Sequence, residues 1–187
     1  MAQSNHKSPV VRKLTPLTLS QRIWRYSTTQ WQRVWAINMT QINELLYVGG
    51  AFRARQWPIM YAAGVRAVLS LQGEREDTFT GTPPTRTLRL IVQDFYAPSI
   101  DQLQQAVIFL QDAHAAQLPT LVHCRAGVGR APLTASAYLV AQGMSAVDAL
   151  TYIQNMRPIV GLNARQLERL AEWEQFVAAR KLTPHAT

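Results

Sequence analysis

Apolar and polar positions along the 187-residue chain follow two periods in turn. Short, nearly continuous apolar runs from Ile42 to Val48, Val65 to Leu71 and Pro119 to His123 have the length and composition of buried strands. Thr85 to Val92 alternates as a half-buried strand does. Between them the spacing turns helical. A segment from about Phe52 carries Trp57, Tyr61 and Ala62 and stops at Gly64, with Pro58 marking a fresh turn inside it. Ser99-x-x-Gln102 is a capping signature, and Ile100, Leu103, Val107 and Leu110 share one face of the helix behind it. Leu133 to Val140 is a run of helix formers. Ser145-x-x-Asp148 and Asn163-x-x-Gln166 open two further helices, with Arg157-Pro158 between them. Gln72 to Pro84, with Gly, Pro and mixed charge, reads as a loop. Strands alternating with helices predict an α/β fold with a mainly parallel central sheet flanked by helices on both faces. In such sheets ligands bind beyond the carboxyl ends of the strands.

Ahead of this alternation the pattern changes. Residues 1–17 are polar and contain Pro9 and Pro16, and read as disordered. From Thr18 to Ala36 the chain is aromatic and basic. Trp24, Trp31 and Trp35 fall on one helical face, with Arg22, Arg25 and Arg33 turned away. The first expectation is that this helix lays its tryptophans on the following domain. The second is a peripheral membrane contact through residues 18–36, with the helix dipping into an anionic surface. The chain therefore divides into a basic, Trp-containing extension over residues 1–40, a domain over 41–182 and a tail over 183–187.

Charge adds one distinction. The net charge is +8, and Lys7, Arg12, Lys13, Arg22, Arg25 and Arg33 all precede the first acidic residue, Glu44. Six of the eight charges thus belong to the extension, which argues against a nucleic-acid footprint spread over a folded face. The chain has one cysteine, so an internal disulfide is excluded and a reducing compartment suits it. No stretch has the length of a membrane span or the apolar core of a signal peptide, and a cytoplasmic location, free or at a membrane surface, is expected.

That cysteine sits where chemistry is expected. His123-Cys124-Arg125-Ala126-Gly127-Val128-Gly129-Arg130 joins the end of an apolar strand to the start of a helix. Consecutive backbone N–H groups in such a turn point inward and, with the helix N-terminus, form a cradle for an anion. A thiol at the mouth of such a cradle is held below its free pKa of about 8.5, which populates the nucleophilic thiolate. Gly127 and Gly129 allow turns and close approaches that a Cβ would forbid. The planar fork of Arg130 can bind two oxygens of a phosphate. These residues point to attack of Cys124 on a phosphate ester, with Arg125 to Arg130 binding the phosphoryl group.

The pattern His-Cys-x5-Arg between strand and helix resembles the signature loop of the cysteine-dependent phosphatases, most closely the small atypical dual-specificity members, over roughly Ile42 to Phe176. The resemblance implies further roles. Asp94, in Asp94-Phe95-Tyr96-Ala97-Pro98-Ser99, is similar to the general acid of that family, and it follows a strand at the same end of the sheet. His123 is expected as a buried residue that helps hold Cys124. Asn163 and Gln166 match the spacing of a closing motif beside the loop, and also read simply as a helix cap and its box. Arg157 is a supporting partner of the site or a charged helix end. One position departs from the pattern. Ala131 stands where the family carries Ser or Thr, whose hydroxyl assists departure of the cysteine, and Thr134 is a candidate substitute.

The implied activity is a two-step, metal-free and cofactor-free phosphatase. Phosphotyrosine and phosphoserine/threonine of proteins come first as substrates. A phospholipid is the alternative, because Arg125-Ala126-Gly127 resembles the Lys-Ala-Gly of lipid-phosphate members. Ala131 leaves room for a phosphate-binding module with little turnover. A rhodanese-like sulfur transferase ranks last, having no use for Asp94.

Overall fold

The computed structural model of the chain describes residues 18–35 and 37–182. The expected disordered segment before Thr18 and the C-terminal tail lie outside them, as do the side chains of Arg33 and Trp35. The elements run α1 (Leu19–Trp35), β1 (Met39–Gln41), β2 (Leu46–Gly49), a 3-10 turn (Ala54–Gln56), α2 (Trp57–Ala62), β3 (Ala67–Gln72), β4 (Arg86–Val92), α3 (Ile100–Ala115), β5 (Thr120–His123), α4 (Arg130–Ala141), α5 (Ala146–Met156) and α6 (Ala164–Leu182). The strands form one sheet in the order β1-β2-β5-β3-β4, parallel except for the antiparallel pair β1–β2.

The apolar runs are the inner strands. β2, β3 and β5 are buried along their whole length because layers cover both faces of the sheet, as a parallel sheet requires. Leu46, Val48, Leu69, Leu71 and Val122 face a large core filled by Leu103, Leu110, Leu133, Ile153, Leu170 and Trp173 from α3 to α6. Tyr47, Val68 and Leu121 point the opposite way, into a smaller cluster with Phe52, Trp57 and Met60 around α2. The edge strand β4 is covered less, and there Leu90 and Val92 are buried while Ile91 is exposed.

Three expectations are corrected. Ile42 to Val48 is not one strand. The polar pair Asn43-Glu44 turns the chain, Asn43 Oδ1 accepts the Leu45 amide at 3.0 Å, and β1 folds back beside β2. The segment expected as one helix from about Phe52 is instead the 3-10 turn followed by α2 from Trp57, with Pro58 marking the fresh turn as expected, in the first turn of α2, where its missing N–H removes no bond. In α1 neither Trp24 nor Trp31 lies on the domain. Its contact is polar: Arg25 Nη1 donates to the Asn155 carbonyl at 2.9 Å and Thr29 is buried, while Trp24 and Trp31 are exposed.

α4 is the centre of the large core, with every residue from Arg130 to Val140 buried. It is also tied to α3 by a pair that sequence spacing does not reveal. His114 lies buried, its Nδ1 2.8 Å from the Tyr138 hydroxyl, with the rings edge to face. Burial pushes the imidazole down to about 4 from 6.5 and raises the Tyr138 phenol. The unfolded chain then binds a proton that the folded chain refuses, so this contribution is complete above the unfolded value and is lost as pH falls toward the folded one. Urea unfolding of the wild type and of His114→Gln is the check. Between about pH 7 and pH 4.5 the stability gap between the two proteins should move by about 2 kcal/mol in favour of the variant. A gap independent of pH contradicts it.

Candidate active site

The segment after β5 is built by its carbonyls. The Arg125 carbonyl accepts the Ala51 amide at 3.0 Å, and Ala126 O accepts Asn38 Nδ2 at 3.2 Å. Gly127 O accepts Arg157 Nε at 2.8 Å, and Val128 O accepts the Gly161 amide at 3.1 Å. Four successive carbonyls are thus tied outward. In a trans peptide C=O and the next N–H point in opposite directions, so the N–H groups of residues 126–129 turn to the inside of the loop. This is the geometry of an anion nest, and the N-terminus of α4 adds its positive end to it.

Glycine is required at two of these positions. Gly127 has φ +70°, and a Cβ on it would come within 2.5 Å of the Gly49 carbonyl and 2.7 Å of Arg157 Nη2. A Cβ on Gly129 would come within 2.8 Å of the Gln166 amide group. Cys124 follows directly on β5, is 2% exposed, and its Sγ accepts the Gly127 N–H at 3.3 Å.

Arg130 opens α4 and is 1% exposed. Its Nη1 donates to the carbonyls of Val92 at 2.7 Å and Leu71 at 3.4 Å, at the ends of β4 and β3. Glu74 grips the same guanidinium with both oxygens, at 2.9 and 3.2 Å, and Asp94 Oδ1 lies 2.8 Å from Nη2. Nε has no partner. Burial alone would lower the arginine's pKa; the Glu74 hydrogen bonds and the charges of Cys124, Asp94 and Glu74 outweigh it, and the pKa is raised. The same hydrogen bonds hold Glu74 below its usual value. Asp94 therefore sits beside the signature loop, brought there by one nitrogen of Arg130.

The Asp94 loop is clamped from the other side. Asn163 caps α6 and donates from Nδ2 to the Phe95 carbonyl at 2.8 Å, and Gln166 Nε2 donates to the Tyr96 carbonyl at 3.1 Å. The two also form the expected capping box, Asn163 Oδ1 taking the Gln166 amide and Gln166 Oε1 the Asn163 amide. Between them Phe95 is held at φ +65°, uncommon for a non-glycine residue. His123 is fully buried, bonded through Nε2 to Asp77 Oδ2 at 2.7 Å and set edge-on against Phe52. Thr134 does not substitute for the hydroxyl missing at Ala131, since its Oγ1 donates to the Arg130 carbonyl one turn back.

Sequence reasoning missed Glu74 and Asn38, and left Arg157 open. Glu74 was legible in principle: it stands in the loop leaving β3 at the sheet end that also carries the signature loop. Arg157 is fully buried and joins Gly127 O to Thr40 Oγ1 at 2.8 Å and to Asn38 Oδ1 at 2.5 Å. A cleft of about 630 Å³ opens over the loop, lined among others by Asn38, Arg53, Arg75, Asp94, Phe95 and Arg125. Among the described residues no cluster of three or more His, Cys, Asp or Glu side chains is placed to hold a metal ion.

A mainly parallel sheet ending in this strand–loop–helix unit, with four helices on one face, is the fold of the protein tyrosine and dual specificity phosphatases. Within that class the chain belongs to the dual specificity phosphatase family, whose catalytic-domain model matches residues 46–176. The dual specificity protein phosphatase Mpk3 of Drosophila melanogaster is 26% identical over 141 residues, which are 74% of this chain and 34% of that protein. Dual specificity protein phosphatase 8 of Mus musculus is 26% identical over 144 residues, 75% of this chain and 21% of that protein. The chain thus spans about a third or less of these relatives. Among solved structures, PTPMT1 in complex with PI(5)P superposes with a TM-score of 0.69 at 23% identity, covering 77% of this chain and 99% of that one. A putative dual specificity phosphatase of mouse, complexed with zinc tungstate, gives 0.67 at 22%, covering 79% and 93%. Both are likenesses of fold.

The carbonyl tethers yield a prediction. Arg157→Met leaves Gly127 O, Thr40 and Asn38 without their donor and frees the loop to turn its amides away. Calorimetric titration with inorganic phosphate should show affinity reduced about tenfold or more, the equivalent of one lost hydrogen bond in a buried site. Unchanged affinity in a folded Arg157→Met protein contradicts the assignment.

Proposed function

We propose that this domain hydrolyses phosphate monoesters in two steps through a phosphocysteine. The observation that supports it most is the convergence on one loop of a buried cysteine, inward-facing amides and a buried arginine whose Nε is uncommitted. Phosphoryl oxygens bind the amides and the Arg130 guanidinium, and compete there with Asp94 for Nη2. Cys124 Sγ attacks phosphorus in line and an S–P bond forms as the P–O bond to the leaving group breaks. Asp94, displaced from Nη2 by a phosphoryl oxygen, takes up a proton from solvent once it has left the guanidinium, turns toward the leaving oxygen and supplies that proton to it. In the second step Asp94 takes a proton from water, whose oxygen attacks phosphorus and expels the sulfur, returning Cys124 and inorganic phosphate. The nest and Arg130 stabilise the charge that grows on the equatorial oxygens in both steps.

Glu74, bonded to both terminal nitrogens of Arg130, keeps the guanidinium in place when Asp94 departs. Asn163 and Gln166 position the Asp94 loop through the Phe95 and Tyr96 carbonyls. With Ala131 in place of a hydroxyl residue, the Gly127 N–H is the donor that eases the sulfur's departure. Turnover of the phosphocysteine is accordingly the slower step, and a burst of product precedes the steady state.

Family membership favours phosphotyrosine and phosphoserine/threonine of proteins as substrates. A phospholipid monoester is the second reading. It rests on the cationic lining of the cleft, where Arg53, Arg75 and Arg125 face a single acid, Asp94, a composition suited to an ester carrying further negative charge.

Hydrolysis of an aryl phosphate tests the mechanism. Cys124→Ser should abolish it, Asp94→Ala should lower kcat by about 10²–10³-fold, and chelators should leave the wild type unaffected. Activity in Cys124→Ser, or a requirement for added divalent metal, overturns the reading.

A further inference from the structure

α1 is mounted with its polar side inward. At about 100° per residue, Arg25 and Thr29 lie on one side of the helix, and they are the docked side. Arg25 Nη1 reaches the Asn155 carbonyl and the Met156 sulfur at the end of α5, and Thr29 is 5% exposed. The opposite arc carries Leu19, Ile23, Trp24 and Trp31, with only Ser20, Ser27 and Gln30 among them. Those four apolar residues are 74, 58, 69 and 61% exposed. An amphipathic helix ordinarily buries its apolar stripe against the core. Here the domain holds the polar edge, and the stripe faces away from the protein.

We infer that this face docks on the surface of an anionic lipid bilayer. Two observations select that occupant over a protein groove or a second copy. The first is charge. Residues 1–43 contain no aspartate or glutamate and six Lys or Arg, and Arg22, between the docked edge and Tyr26, is exposed, so the only formal charge that the helix and its flanking chain bring beside the apolar arc is positive. The second is residue type. Two of the four exposed apolar residues are tryptophans, with Tyr26 at their border, side chains whose ring lies among acyl chains while the polar edge meets headgroups. No described helix is long and apolar enough to cross a bilayer, so the contact is one of lying on the surface.

The position of the helix relative to the cleft gives this contact a consequence. Trp35, the last residue of α1, is three residues from Asn38, which lines the cleft, donates to the Ala126 carbonyl and accepts from Arg157. Arg157 in turn follows Met156, which receives Arg25 of α1. A helix seated on a membrane therefore holds the cleft, with its three arginines, within a few residues' reach of the headgroup layer. The docking itself does not depend on which phosphate ester is hydrolysed.

Co-sedimentation with vesicles of phosphatidylcholine containing about 30% phosphatidylglycerol, at low salt, tests the inference. The full chain should bind them, bind pure phosphatidylcholine vesicles at least tenfold less tightly, and lose anionic binding at least tenfold in Trp24→Glu/Trp31→Glu. Brominated acyl chains should quench wild-type tryptophan emission. The double variant should hydrolyse a soluble aryl phosphate at the wild-type rate, so failure of membrane docking and failure of the phosphatase reading remain separate results. Absent binding to anionic vesicles, equal binding by wild type and variant, or a wild-type dimer in solution that the double substitution dissociates would each overturn it.

Discussion

Four backbone carbonyls held away from the centre of one loop are the constraint on which the site depends. A carbonyl turned outward commits the next amide to face inward, and residues 125–128 make that commitment in succession. The donors come from distant places: the chain after β2, the approach to β1, the end of α5 and the segment before α6. The nest is thus a product of the whole fold. An isolated peptide of the same sequence would spend those carbonyls on water and leave its amides free to turn.

The sheet supplies the rest of the geometry. β5 is central, buried on both faces, and delivers Cys124 at a fixed point beyond its end; α4, buried on all sides, fixes Arg130 a few residues later. Between these anchors the loop has little freedom, and Gly127 and Gly129 are where the backbone approaches Gly49, Arg157 and Gln166 too closely for a side chain. Electrostatics then sets the resting arrangement. A guanidinium this deeply buried needs countercharge, and it receives it from Glu74 and Asp94 together. The two acids differ in what they can do next. Glu74 binds with both oxygens and belongs to the scaffold, whereas Asp94 is attached through one, in a loop that Asn163 and Gln166 hold by its Phe95 and Tyr96 carbonyls, and in the proposed mechanism it yields its place to a phosphoryl oxygen.

Much of this was legible in the chain. Apolar run length marked the inner strands, Ser99, Ser145 and Asn163 marked three helix starts, and the eight residues ending at Arg130 marked the candidate site. That Asp94 lies at the same end of the sheet as the loop followed from topology, because parallel strands put their outgoing loops at one end, while its choice as candidate acid came from the resemblance. The unread parts share a cause. Glu74 meets Arg130 across 56 residues and Arg157 meets Gly127 across 30, and no periodicity reports contacts at such separations. The His114–Tyr138 pair was not legible because nothing local shows that Tyr138 of α4 lies over His114. Trp24 and Trp31 of α1 misled for a related reason: spacing shows that they share a face, while the direction of that face was decided by Arg25 and the end of α5. The strand expected from Ile42 to Val48 failed locally, since two polar residues within an apolar run are enough to turn it into a hairpin.

The most direct test of the central claim is a crystal of the protein soaked with tungstate. A tetrahedral oxyanion should sit inside the loop with its oxygens at hydrogen-bond distance, about 2.7–3.2 Å, from the amide nitrogens of residues 126–130. Its metal atom should stand opposite Cys124 Sγ, with Asp94 moved off Arg130 Nη2. Tungstate bound only elsewhere, or a loop whose amides point away from the bound ion, would contradict the account.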